Sequence, residues 1–190
     1  MKNVLILFSG GVDSLALLSL AKKQGLCPVL LHIQYDHPAA DQELKAVRDL
    51  YSRFAEVSNL YLHKAAIYSK EMFLGVGVKG SREVTGRNLL FLSIAYNLSP
   101  QFFGDEHFYT WIGVSKADQV DYFDCSSDFI HIASLLTPTM GLYAPLIMRN
   151  KVEIVKLIDD SILSLAWSCY EPINGKQCGE CNSCQQYIGG

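Results

Sequence analysis

The sequence predicts an α/β fold, a parallel sheet with helices on both faces, closed by a small cysteine-rich tail. Two observations carry the prediction. Short apolar runs alternate with stretches of helical spacing in β-α-β-α-β order, and strands joined through helices pair in parallel. Four of the six cysteines, Cys169, Cys178, Cys181 and Cys184, fall in the last part of a 190-residue chain.

The elements follow in order. Residues 4–8 (VLILF) are apolar on both faces and stop at Ser9-Gly10-Gly11, as a fully buried strand does. Residues 13–23 form a helix with Leu15 and Leu18 on one face, ended by Gly25. A second strand spans 29–35. A second helix spans 41–54, with Leu44, Val47, Leu50, Tyr51 and Phe54 at helical spacing, and a third strand spans 59–66. Residues 68–84 have no period and hold three glycines, which reads as a loop at the ligand edge of the sheet. Then come a helix over 88–98, a strand over 108–114 and a helix over 127–136. Pro145 keeps 142–147 extended, and a helix spans 152–159. The expected division is 1–166 for the α/β unit and 167–190 for the tail packed on it.

Composition narrows the function. Hydrophobic residues make up 49% and charged residues 18%, which argues against disorder and coiled coil. The net charge of -3 gives no global basic field, so nucleic acid is not an expected partner. The first residues lack a secretory leader pattern, and no apolar run approaches the ~18 residues a membrane span needs. The expectation is a cytoplasmic protein whose clustered thiols bind metal rather than form disulfides.

Ser9-Gly10-Gly11-Val12-Asp13-Ser14 lies between the first strand and the first helix. Glycines let backbone N–H groups approach a ligand, and a helix N-terminus favours an anion. Asp13 beside a phosphate makes sense through a bridging Mg²⁺. The turn lacks the lysine of a P-loop and is not GxGxxG. An ordinary capped strand-to-helix turn is the plainer alternative. The hexapeptide resembles the SGG-x-DS pyrophosphate loop of the ATP pyrophosphatase superfamily, whose members split ATP between the α- and β-phosphates and adenylate a substrate oxygen.

The tail reads C-x8-C-x2-C-x2-C. Four thiolates suit a tetrahedral structural Zn²⁺. The spacing also suits an iron–sulfur cluster, but nothing else in the sequence points to redox chemistry. Free or paired thiols are the third reading.

Three further segments join these two: Val84-Thr85-Gly86-Arg87-Asn88 before an apolar helix, Tyr122-Phe123-Asp124-Cys125, and Ala166-Trp167-Ser168-Cys169-Tyr170. In this order they resemble the 7-cyano-7-deazaguanine synthase (QueC) family, most weakly over 34–84. The resemblance implies an adenine-nucleotide α-hydrolase-like (HUP, Rossmann-like) sheet, a structural zinc, a homodimer, and ATP with Mg²⁺ as cofactors. It also implies a reaction. The carboxylate of 7-carboxy-7-deazaguanine is adenylated, ammonia gives the amide, and a second activation gives the nitrile, with release of AMP and pyrophosphate.

Residue by residue, the resemblance gives Ser9, Gly10, Gly11, Val12, Asp13 and Ser14 to pyrophosphate and Mg²⁺. Arg87 stabilises phosphate or adenylate charge, and Asn88 either helps or caps its helix. Asp13, Arg87 and Asp118 form the expected catalytic set. Tyr122, Asp124 and Trp167 are the expected substrate contacts, although Trp167 equally closes the core and Tyr122 and Asp124 equally lie in a surface loop. Cys125 reads as a buried thiol and Cys27 as inert.

Departures stand beside the match. Relatives carry Y-G-Q-R-H where this chain has Tyr35-Asp36-His37-Pro38-Ala39-Ala40. The proline of V-P-[GA]-R-N is Thr85, the glycine before Y-P-D-C is Asp121, and its proline is Phe123. The chain also ends at Gly190, where relatives continue. ATP chemistry survives these changes better than acceptor identity does. The alternatives are therefore a defence-type relative that joins a deazaguanine to a protein amine, a tRNA thiolase, and a nucleotide-binding scaffold.

Overall fold

The computed structural model describes residues 3–65, 86–136 and 139–188. The loop expected over 68–84 lies outside the described residues, as do Val84 and Thr85. Five parallel strands form one sheet: β1 (Asn3–Leu7), β2 (Val29–Gln34), β3 (Asn59–Lys64), β4 (Phe108–Trp111) and β5 (Met140–Tyr143). Their order is β3-β2-β1-β4-β5. β1 is central, with Leu5 opposite Val29 on one side and Thr110 on the other. The chain winds outward from β1 to β3, then returns to β4 on the other side. The carboxyl ends of β1 and β4 therefore border the crevice where open α/β sheets bind ligands.

β1 shows why both faces are apolar. Val4, Ile6 and Phe8 enter one buried layer and Leu5 enters the opposite one. The first layer is covered by α1 (Val12–Lys23), α2 (Ala40–Phe54) and α6 (Lys151–Val155); the second by α3 (Arg87–Phe103) and α5 (Ser127–Ser134). Each fully buried Leu or Ile contributes about 1.5–3 kcal/mol. Among the described residues, no helix is long and apolar enough to cross a membrane.

Several elements differ from their sequence expectation. α1 is buried nearly all round, not along one stripe: Leu15, Ala16, Leu17 and Leu18 are all fully buried. It lies beneath the sheet with α6 against it, so the polar face expected of a surface helix is absent. α3 continues past Pro100 to Phe103. Proline cannot donate to the Tyr96 carbonyl four residues back. The Ser99 hydroxyl donates to that carbonyl instead, at 2.7 Å. The strand expected over 108–114 stops at Trp111, and 112–114 leave the sheet along the cleft. The helix expected over 152–159 stops at Val155 in α6, and a separate short helix, α7 (Asp160–Leu163), follows. Asn150 and Glu153 form a reciprocal capping box that starts α6 one residue early, at Lys151. Residues 118–125 fold into α4 (Asp118–Asp121) and a 3-10 turn (Phe123–Cys125), not a loop. The tail has a helix of its own, α8 (Asn182–Ile188).

Candidate active site and metal centre

The loop after β1 is held from both sides. Gly10 has φ +78°, and a Cβ there would stand 3.0 Å from the Val47 nitrogen and 3.1 Å from the Ala46 Cβ. A side chain would therefore meet α2 in addition to the left-handed penalty of about 1–2 kcal/mol. The tail grips the same loop. The Trp167 N–H donates to the Gly10 carbonyl at 3.0 Å, and the Val12 N–H donates to the Ser168 hydroxyl at 3.1 Å. The Gly11 N–H donates to Ser9 Oγ at 3.2 Å, and Ser14 Oγ donates to the Gly11 carbonyl at 3.0 Å. Gly11, not Asp13 or Ser14, occupies the cap position of α1.

Asp13 is half-buried. Lys151 Nζ lies 2.8 Å from Asp13 Oδ2 and 3.5 Å from Asp118 Oδ2. Asp118 is fixed in turn by the Ser115 N–H and hydroxyl, both at 2.7 Å. One ammonium thus ties together the loops after β1 and β4 and the start of α6. Burial pushes the Asp13 carboxyl above its ordinary range, while Lys151 pulls it back down. Asp13 Oδ1 is buried without a hydrogen-bond partner. An acceptor-only carboxylate beside a glycine loop, with a second carboxylate reached through the same ammonium, fits a cation that accompanies a polyphosphate.

Arg87 opens α3, whose cap position is Gly86 at φ +72°. Its Nη1 donates to the Tyr35 hydroxyl at 3.4 Å, and among the described residues it makes no ion pair. Burial opposes its charge, but Tyr35, Tyr170 and Glu43 more than offset that. A half-buried guanidinium without a carboxylate is suited to an anionic ligand. Arg87, Ser9, Gly11, Asp13, Ser14 and Asn88 all line one cleft.

The remaining expected residues divide. Trp167 lines the cleft, but its indole N–H is committed to the Cys169 carbonyl at 2.9 Å. Asn88 is the second residue of α3 and not its cap. Its backbone N–H donates to Asp124 Oδ2 at 3.1 Å and its side-chain amide to the Asp124 carbonyl at 2.9 Å. Asp124 therefore ties α3 to the 3-10 turn and does not line the cleft; neither does Tyr122, which packs on the second core layer. Cys125 is buried beside Asp124, and burial pushes its thiol up to about 12. At neutral pH it is a protonated thiol, not a nucleophile.

Sequence reasoning missed four cleft neighbours. Lys151 was signalled only by the N-x-x-E capping pattern around it. Ser168 carried no signal. Tyr170 lies in the W-S-C-Y segment and lines the cleft. His32 stands out as an imidazole within an apolar strand. Its Nδ1 lies 3.0 Å from the Phe8 carbonyl, which can only accept, so Nδ1 carries the proton. Burial lowers its pKa and keeps it neutral, leaving Nε2 as a buried, partnerless acceptor.

The four tail cysteines converge. Their sulfurs all lie within 4.8 Å of one another. Cys169 and Cys178 are 3.5 Å apart and Cys178 and Cys184 3.9 Å. A tetrahedral four-thiolate ion with bonds of about 2.3 Å has sulfur–sulfur edges of about 3.8 Å. Backbone N–H groups of Cys181 and Glu180 donate to Cys178 Sγ at 3.3 and 3.4 Å. They pull that thiol down to about 6, favouring the thiolate a metal needs. By donors and geometry the cluster could hold a metal ion.

A five-stranded parallel sheet, with a Ser-Gly-Gly-Val-Asp-Ser loop at its switch point, is the architecture of the PP-loop, HUP-type fold. Two solved structures share the fold. NMN synthetase from Francisella tularensis aligns over 94% of this chain and 71% of its own, at 18% identity and TM-score 0.56. The U34-tRNA thiolase NcsA from Methanococcus maripaludis, solved with its [4Fe-4S] cluster, aligns over 94% of this chain and 62% of its own, at 18% identity and TM-score 0.54.

The chain belongs to the QueC family, described as queuosine biosynthesis protein QueC, which it matches over residues 3–188. It is 31% identical to a 7-cyano-7-deazaguanine synthase of Campylobacter jejuni subsp. doylei, over 96% of this chain and 90% of that protein. It is 32% identical to one from Geobacter sp. (strain M21), over 100% and 92%. The family implies use of ATP.

Proposed function

We propose that the protein is an ATP-dependent, C–N bond-forming synthase that converts 7-carboxy-7-deazaguanine to 7-cyano-7-deazaguanine. One observation carries the chemistry: Ser9, Gly11, Asp13 and Ser14 of the loop and Arg87, which makes no ion pair among the described residues, line a single cleft at the switch point of the sheet. Family membership along nearly the whole chain supports the substrate.

In this reading the loop and the α1 N-terminus hold the pyrophosphate portion of ATP. The substrate carboxylate oxygen attacks the α-phosphorus and pyrophosphate leaves. Arg87 lies on the same cleft to offset charge as it builds there. Ammonia then attacks the acyl carbon and AMP leaves with the carboxylate oxygen, giving the amide. The amide oxygen repeats the cycle with a second ATP; loss of AMP and a proton leaves the nitrile. Asp13 and Asp118 are the residues that would hold Mg²⁺, which supplies charge neutralisation on the phosphates. Lys151 stands between them and can turn its charge to phosphate oxygens.

The metal in this reading is a structural Zn²⁺ in the tail 167–190. The cysteines of a cubane cluster each bind a different iron and stand farther apart than ligands of one ion, so the short sulfur–sulfur distances favour zinc. Four protein ligands leave no open position for chemistry. A cytoplasmic homodimer taking a free base as substrate completes the assignment.

The test is mass spectrometry of products from ATP, Mg²⁺, ammonia and 7-carboxy-7-deazaguanine. AMP, pyrophosphate and the nitrile in a 2:2:1 ratio are expected. AMP formation with the base unchanged would remove the substrate assignment and leave the enzyme class.

A further inference from the structure

Among the described residues, two of the buried polar atoms near the cleft that make no hydrogen bond within normal distance belong to opposite ends of the chain. One is Asp13 Oδ1, in the loop after β1; the other is the hydroxyl of Tyr187, on α8. They act on each other electrostatically: the phenol draws the Asp13 carboxyl down, and the carboxylate drives the Tyr187 phenol up, in addition to the larger effect of burial. Lys151 completes the group. Its Nζ is 2.8 Å from Asp13 Oδ2 and 5.4 Å from the centre of the Tyr187 ring. The ammonium therefore lies between the carboxylate and the aromatic face, an arrangement attractive on both sides.

The position of Tyr187 follows from the metal centre. α8 starts immediately after Cys181 and contains Cys184. Tyr187 is three residues beyond Cys184, so the two side chains lie on one face of the helix. The metal ligands fix the axis of α8, and α8 places the phenol against the loop aspartate. A buried hydroxyl and a buried carboxylate oxygen are each destabilising when left without a partner. The phenol can only reduce both costs by donating its proton toward Oδ1, because the carboxylate can only accept.

We propose that Tyr187 is a positioning residue for Asp13: through α8 it couples occupancy of the four-cysteine metal site to the competence of the loop 9–14 for nucleotide. Tyr187 holds the Oδ1 side of the carboxylate and Lys151 the Oδ2 side, so the aspartate is aimed before nucleotide arrives. The inference rests on the loop being the ATP site.

The test compares the full-length metal-loaded protein with Tyr187→Phe, which keeps the ring under Lys151 and removes only the hydroxyl, and with Gln185→Ala on the exposed side of α8. Three quantities are measured: bound metal per chain, melting temperature, and affinity for Mg²⁺-ATP by calorimetric titration without acceptor. Tyr187→Phe is expected to retain metal and melting temperature but to weaken nucleotide binding about tenfold, with Gln185→Ala unchanged. Amide exchange of residues 10–14 should rise in Tyr187→Phe while that of the β1 strand stays the same. Unchanged affinity and exchange in Tyr187→Phe would overturn the proposal, as would an equal loss in Gln185→Ala, which indicates general loosening of α8. Failure of the unsubstituted protein to bind Mg²⁺-ATP would instead overturn the nucleotide reading of the loop.

Discussion

Asp13→Asn is expected to lower ATP turnover by about 10²–10³-fold while the protein stays folded, the range seen when one preorganised electrostatic group is removed. Asparagine has nearly the same shape, and its amide oxygen can still accept from Lys151. Alanine would leave the nearly buried ammonium with only Asp118, 3.5 Å away. Breaking a buried pair in that way costs about 3–5 kcal/mol and would mix unfolding with lost chemistry. The substitution removes a negative charge where the loop after β1 meets the Lys151–Asp118 pair. Single-turnover AMP formation, read beside the circular dichroism spectrum, checks it. Turnover within about threefold of the unsubstituted rate would remove Asp13 from the catalytic set.

Removal of the metal is expected to have the largest effect on stability. Around the cysteines the tail packs mainly Trp167, so metal–thiolate bonds would take the place of a local core. A loss of about 3 kcal/mol or more corresponds to a fall in melting temperature of roughly 10 °C for a chain of this size. The consequence extends to the cleft, because Trp167 and Ser168 both bond the loop at Gly10 and Val12. A thiol-modifying reagent used with a metal chelator should release one metal ion per chain, lower the melting temperature, and weaken nucleotide binding in parallel. Cys184→Ser should do the same without chelator. Metal release with no change in melting temperature would show that the site does not hold the tail.

The strands were legible because burial on both faces leaves unbroken apolar runs such as residues 4–8. The glycine loop was legible because its spacing is local. The metal ligands were legible because all four cysteines fall within residues 169–184. What could not be read are contacts between distant positions. Lys151 meets Asp13 across 138 positions of sequence, and Ser168 meets Val12 across 156. Neither lysine nor serine carries a pattern that names its partner. Asp124 shows the opposite case. In a Y-x-D-C segment it reads as a ligand contact, yet the fold uses its carboxylate to accept from the start of α3. The one-stripe reading of α1 failed for a related reason: periodicity reports a single buried face, and this helix has neighbours all round.

The central claim is that the acceptor carboxylate is activated as an adenylate in the cleft, and the most direct measurement follows its oxygens. With 7-carboxy-7-deazaguanine labelled with ¹⁸O in both carboxylate positions, each activation transfers one labelled oxygen to the α-phosphorus. Two AMP molecules should form per nitrile, each carrying one ¹⁸O, with no label released to water. Unlabelled AMP, or label appearing in pyrophosphate or phosphate, would contradict the account.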